Sequence, residues 1–301
     1  MKHIKTILLF LFTNIVIIAV LNVLLYIASV VFWFDIYSSS SSIVNISIIA
    51  FVFGFGWAFV NLLISKRSAK KIYKIKVISV DALGKQKVMY DTIALLAAKY
   101  KIKNPEAGIY DSPDPNAFAT WASKNNSIIA VSTWLLESLT DEELKGVIGH
   151  EFAHIINGDM VKMTLLQWII NTFVMFLSRI IAYGIDLAMK KDDNEWWFGG
   201  IVYFILVFVL DILLWFVGML ILMSYSRKRE YRADEWSSKL LGKEYMIKAL
   251  EKLQHLTSKR WDHTQHDEFS SLKIIWSKDI LRLFSSHPSL ESRLQHLKKL
   301  V

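Results

Sequence analysis

The sequence predicts an α+β chain, mostly helical, with four transmembrane helices and a folded cytoplasmic part that contains a small β-sheet. Three observations predict it. Hydrophobic residues make up 53% of the 301 residues and the mean hydropathy is +0.35, far from an ordinary soluble domain. The apolar residues collect in four long runs with few or no charges. The intervals between and after them show turn residues, β-prone stretches and helical spacing, the pattern of folded structure.

Residues 6–34 carry no charge and follow Lys2, His3 and Lys5. The run is longer than the apolar core of a cleaved leader and lacks a small-residue cleavage site, so it reads as a retained transmembrane helix. Asp35 and the serines Ser38–Ser42 make a short polar turn. A second uncharged run, about 43–64, ends at Lys66, Arg67, Lys70, Lys71, Lys74 and Lys76. Such a cluster stays in the cytoplasm, so 1–65 is expected to be one transmembrane hairpin with both ends inside.

Residues 66–162 are expected to be the first cytoplasmic part. Val88–Tyr100 has apolar residues at helical spacing, and Asn104-Pro105 breaks it. A strand-like Ala107–Tyr110 leads into the turn-rich Asp111–Pro115. The β-prone stretches 116–121 and 127–133 flank Ser123–Asn126, as in a hairpin. Thr140-Asp141-Glu142-Glu143 matches a capping box and opens the next helix.

Residues 163–226 are expected to be a second transmembrane hairpin, with helices at about 163–188 and 196–226. The linker 189–195 sets Lys190 and Lys191 against Asp192, Asp193 and Glu195, so it lacks a positive excess and is placed outside. Arg227, Lys228 and Arg229 bring the chain back inside, and 227–301 reads as a second, helical cytoplasmic part. Two charges fall within the spans, Arg179 and Asp211. In an antiparallel hairpin they differ in depth by roughly 7–8 Å, which a long arginine bridges or avoids by snorkelling outward. A transporter built on these charges would show inverted repeats, and none is visible.

There is no cysteine, which excludes disulfides, thiolate ligands and a cysteine nucleophile. The formal net charge of +8 does not indicate nucleic acid, because the basic residues crowd where apolar runs end.

The candidate chemistry lies in Gly149-His150-Glu151-Phe152-Ala153-His154. On a helix, positions i and i+4 share a face, so His150 and His154 can grip one metal ion while Glu151 reaches a water on it. A catalytic zinc needs a third ligand and an open position. Glu230 and Asp234, also four apart, suit that need: Glu230 to bind metal, Asp234 to accept a hydrogen bond from a ligand histidine. Ala233 between them permits close helix approach. Asn157 falls on the ligand face and can orient a ligand. Asp159 is off that face, either a helix-terminal charge or a partner of a ligand.

HEFAHIINGDMVKMTL with the following NTFVMFLSRIIA resembles the HtpX membrane zinc metalloproteases, relatives of the CAAX prenyl proteases within the gluzincins. Asn116–Thr120, Ala130–Thr133, Glu230–Asp234 and His287-Pro288-Ser289 with Arg293 fit the same family in the same order. The resemblance implies a gluzincin-like cytoplasmic protease domain with one Zn2+ per chain, held by His150, His154 and Glu230, with Glu151 as general base. It implies that His287 and Arg293 face the metal and stabilise the oxyanion, although a histidine before proline is also an ordinary helix-start residue. It implies that Asn116 and Ala117 hold substrate backbone, while Ser127–Ser132, with Ile129, Ala130 and Val131, either offers an edge for an extended substrate or is an internal hairpin. Trp121 and Trp134 stand where the family usually has glycine, and either ring would narrow the cleft.

The expected partners are protein or peptide substrates, membrane proteins among them, and the lipid bilayer. The expected location is the bacterial cytoplasmic (inner) membrane, multi-pass, with both termini and the active site cytoplasmic, and a role in membrane protein quality control. Two other readings are a CAAX-type processing protease, disfavoured by four spans where that branch has seven, and a non-catalytic zinc-dependent membrane scaffold. A purely structural zinc site needs no base at Glu151.

Overall fold

The computed structural model describes residues 60, 62–189, 200–263 and 285–300. The expected span at 6–34, the turn at 35–42, all of the span at 43–64 except 60 and 62–64, and all of the linker beyond Met189 lie outside the described residues. The chain divides into two units, each taken by itself; the described part of the first is 165–189 with 200–222, and the second contains the rest.

In the second unit a helix α1 (62–72) precedes strand β1 (Lys76–Val77), helix α2 (Gly84–Tyr100) and strand β2 (Glu106–Tyr110). Strands β3 (Ala117–Ser123) and β4 (Asn126–Ser132) form the expected hairpin, followed by helices α3 (Thr133–Ser138) and α4 (Asp141–Asn157). Helix α5 (Asp159–Met189) begins in this unit and α6 (Gly200–Leu241) ends in it, followed by α7 (Lys243–His263) and α8 (Leu290–Lys299). The fourth apolar run was expected to end at residue 226; its helix continues to Leu241, so Glu230 and Asp234 stand on the same helix.

The sheet order is β1-β2-β4-β3, with β2 and β4 parallel and the other pairs antiparallel. This corrects the expectation of an edge at 127–132. Ile129, Ala130 and Val131 are paired on one side with Ala107, Gly108 and Ile109 and on the other with Ala119, Phe118 and Ala117. They are fully buried, and the unbroken apolar run Ile128–Val131 is the signature of a strand covered on both faces. Among the described residues β1 and β3 are the two edges, and β3 is the one beside β4.

Helix α4 shows why the fold holds. Thr140 and Glu143 make the capping box in both directions, Thr140 Oγ1 accepting from Glu143 N at 3.3 Å and Thr140 N donating to Glu143 Oε2 at 2.7 Å. Leu144, Ile148, Phe152 and Ile155 then bury one stripe against Met89, Ile93 and Leu96 of α2 and Ile129 of β4. Burying each of these side chains stabilises the fold by about 1.5–3 kcal/mol. Trp121 belongs to the same core and is 1% exposed, which corrects the expectation that its ring narrows a cleft. Lys66 and Lys70 of α1 bridge to Glu106 of β2 at 2.8 and 2.9 Å, and burial of Glu106 is outweighed by these two cations, which lower its carboxyl below the usual range.

In the first unit, α5 and α6 are long and apolar enough over 159–185 and 202–241 to cross a membrane by length and composition. Gly218 lets them touch, since a Cβ there would lie 2.4 Å from Ile170 Cγ2. Both charges within these apolar stretches are buried: Arg179 Nη1 lies 3.4 Å from Asp211 Oδ1, and Ser178 Oγ donates to the same oxygen.

Candidate metal centre

The capping box fixes where α4 starts, and the four-residue spacing then puts His150 and His154 on one face, both buried. Two small residues bring their partner helix close. A Cβ on Gly149 would lie 2.6 Å from Ser237 Oγ, and Ala233 is fully buried. Ser237 Oγ also donates to Gly146 O at 3.0 Å, tying α6 to α4.

This approach aims Glu230 between the two histidines. Its Oε2 is 3.4 Å from His150 Nε2, its Oε1 is 3.5 Å from His154 Nε2, and the two Nε2 atoms are 3.2 Å apart. The three ligand atoms lie within 4.8 Å of one another. Each outer ring nitrogen has a carboxylate. His150 Nδ1 donates to Asp234 Oδ1 at 2.8 Å, and His154 Nδ1 donates to Asp159 Oδ2 at 2.6 Å. Both rings are thereby held with Nε2 facing inward, beside a carboxylate. Two imidazole nitrogens and one carboxylate converging in this way are a donor set that suits a divalent metal.

The electrostatics carry the same information. Burial and Arg293 would lower His150, but hydrogen bonds to Asp234 and Glu230 push it up to about 9. Burial would raise Glu230, yet hydrogen bonds from His150 and His287 hold its carboxyl far below the carboxylate range. The pocket attracts positive charge.

The other expected residues fall as follows. Glu151 is half-buried, next to His150, near enough for its charge to act on Tyr110 and Arg293. His287 is largely exposed, and its Nδ1 lies 2.7 Å from Glu230 Oε2. Arg293 lies against the expected ligands, Nη2 3.3 Å from His150 Nδ1. It is buried, and its fork is spent on Asp234, Nε to Oδ2 at 2.8 Å and Nη2 to Oδ1 at 2.6 Å, with Nη1 only within 3.8 Å of Glu230. It holds Asp234, which holds His150.

Asn157 ends α4 and takes no part in these bonds among the described residues; the carboxylate on His154 is Asp159. Gly158, at φ 68, stops α4 and starts α5, swinging Asp159 back to His154. Arg229 was not anticipated: its Nη2 donates to Glu230 Oε1 at 3.0 Å. Adjacent residues do not face each other on a helix, so spacing gave no signal for it.

Asn116 is exposed at the start of β3 and its backbone is clamped. Its N–H donates to Ser132 Oγ at 3.2 Å, and its carbonyl accepts from Ser132 N at 2.9 Å and from Tyr110 OH at 3.3 Å. Ala117 follows as the first residue of the edge strand, while Ile129, Ala130 and Val131 lie behind it in β4.

Residues 84–301 match the family described as Peptidase family M48. Protease HtpX of Thioalkalivibrio sulfidiphilus is 39% identical over 294 residues, covering 98% of each chain. Protease HtpX of Alkalilimnicola ehrlichii is 41% identical over 300 residues, again covering 98% of each. The crystal structure of S. mikatae Ste24p shares the fold, with a TM-score of 0.58 and 20% identity over 94% of this chain and 66% of that one.

Proposed function

The chain belongs to peptidase family M48 and is a metallopeptidase, and on that premise we propose that it is a zinc endopeptidase of the bacterial cytoplasmic membrane. It cuts misfolded or membrane-proximal protein segments on the cytoplasmic side, in membrane protein quality control. The observation that carries this reading is the convergence of His150, His154 and Glu230 within 4.8 Å, with Glu151 beside them.

Those three residues would hold one Zn2+, and Asp234 and Asp159 would keep the two imidazoles in the ligating tautomer. Bound zinc supplies Lewis acidity, acidifying a water and polarising the scissile carbonyl. Glu151 takes the proton from the attacking water and returns it to the leaving amine nitrogen. His287, exposed beside Glu230, offers an imidazole N–H to the oxygen on which negative charge develops. Arg293 holds Asp234, which orients His150. An extended segment of substrate lies along β3, beginning at Asn116 and Ala117, and is bound through its backbone. The membrane assignment is supported by the two long apolar helices and by the basic clusters that close the apolar runs.

The test is metal analysis of the purified chain together with cleavage of an unfolded protein, wild type against Glu151→Gln. One zinc per chain in both, with cleavage only by wild type, is the expected result. Cleavage that persists in the variant, or a chain that purifies active without zinc, overturns the reading. Orientation is tested by single cysteines, which the chain lacks. Ser40→Cys should react with an impermeant reagent in intact cells and Ser68→Cys should not.

A further inference from the structure

The segment from residue 66 to 87 carries eight cations and one acid, Asp81. Lys66 and Lys70 are engaged with Glu106, and Lys87 with Asp91. Arg67, Lys71, Lys74 and Lys76 are exposed, and among the described residues none of the four is in an ion pair. Interleaved with them are large apolar side chains left in solvent: Ile72 is 71% exposed, Val77 47%, Val80 56% and Leu83 85%. Single exposed apolar residues are ordinary, but four within twelve positions, alternating with cations, are not.

Two of these positions also break local rules that the fold would prefer to obey. Leu83 is the N-cap of α2, where a serine, threonine, aspartate or asparagine would accept a backbone hydrogen bond; it caps nothing and points to solvent. Lys74 sits at φ 49, in the left-handed region that favours glycine or asparagine. A lone aliphatic at a cap and a lysine in a strained turn bring nothing to the core. A rule broken without a folding gain marks a residue kept for another purpose.

We propose that 67–83 is a docking strip for the surface of an anionic lipid bilayer. Ile72, Val77, Val80 and Leu83 enter the boundary between headgroups and acyl chains, and Arg67, Lys71, Lys74 and Lys76 meet the lipid phosphates. Apolar side chains among exposed lysines are the combination that binds such an interface, since each term alone is weak and the two add. Charge complementarity selects this occupant over a protein surface of mixed charge. The strip follows directly on the basic end of the run at 43–64, and the inference does not depend on peptide hydrolysis.

The cysteine-free chain permits a direct test. Nitroxide labels are placed one at a time at Ile72→Cys, Val80→Cys and Leu83→Cys in the full-length chain. Leu95→Cys on α2 serves as the control, because Leu95 is 63% exposed without a cationic neighbourhood of this kind. In nanodiscs of phosphatidylcholine with phosphatidylglycerol, the ratio of oxygen to nickel-chelate accessibility should be several-fold higher at the three strip positions than at the control. The contrast should collapse in phosphatidylcholine alone and in a Lys71→Gln/Lys74→Gln/Lys76→Gln variant whose Leu95 label gives an unchanged spectrum. Strip labels that match the control in anionic nanodiscs overturn the proposal, as does equal insertion with and without phosphatidylglycerol. Labels that immobilise only when an unfolded protein is added also overturn it, and make the strip a polypeptide-docking surface.

Discussion

Asp159 Oδ2 lies 2.6 Å from His154 Nδ1, although five residues of unbroken helix would turn the two about 140° apart. Gly158 supplies the break that joins them. Because a carboxylate on the outer nitrogen fixes ring orientation and raises ligand basicity, Asp159→Ala should weaken metal affinity by about 10–100-fold. Competition with a graded chelator measures it. Asn157→Ala should leave affinity unchanged. Equal affinity in Asp159→Ala and wild type would assign the His154 orientation to packing alone.

Glu151→Gln and Glu230→Ala should separate chemistry from metal binding. The first removes a proton acceptor and should cost about 10²–10⁴-fold in turnover with the metal retained. The second removes one of three converging ligands and should lose metal and activity together. A Glu230→Ala chain with normal metal content would move the third ligand elsewhere.

His287 and Arg293 should differ in what they change. His287→Ala should lower kcat per bound metal by about 10²-fold with KM nearly constant, since the charge it meets exists only near the transition state. Arg293→Lys keeps the charge but not the two-pronged grip on Asp234, so it should weaken metal retention while leaving kcat per bound metal close to wild type. If the two variants gave the same kinetic pattern, the division of roles would fail.

Gly149→Ala should destabilise the fold by about 1–3 kcal/mol, because its Cβ would lie 2.6 Å from Ser237 Oγ and 2.9 Å from Leu241 Cδ1. Adding Ser237→Ala should recover part of the loss. Thermal unfolding in detergent reads both, and an unshifted midpoint for Gly149→Ala would show that the helices separate easily.

Asp211→Ala should cost about 3–5 kcal/mol, since it leaves Arg179 buried without its carboxylate. Replacing both with apolar residues of similar size should be far milder. Equal loss in the single and double variants would mean the pair itself holds α5 and α6 together.

The parts of the site that were legible in the sequence are those encoded by local periodicity. A four-residue spacing on one helix places His150 with His154 and Glu230 with Asp234, and the capping box at Thr140 announces the helix that carries the first pair. The Ala117–Ser132 hairpin is legible as two β-prone stretches around turn residues.

What escaped depends on backbone direction and on strand order. Asp159 was left undecided because its partner depends on a single left-handed residue, which the spacing of side chains does not report. Composition identifies strands but not their neighbours, so an edge at 127–132 is expected where none exists; the parallel partner of Ile129, Ala130 and Val131 is β2, with β3 between the two in sequence. The family pattern puts Arg293 beside the metal, but no spacing reports that its side chain also grips Asp234, which in turn bonds His150.

The exposed side of β3 gives the proposed function a criterion for what is cut. Among the described residues, strand β3 pairs with β4 alone, which leaves its outer row of backbone donors and acceptors for another strand. A helix, or a strand already seated in a sheet, has committed its own amide groups and has none to offer in return. Only a stretch of chain that has lost its structure can complete the row, whatever its side chains. Under the proposed function, β3 would select by conformational state, and a correctly folded neighbour would be spared because its backbone is already engaged.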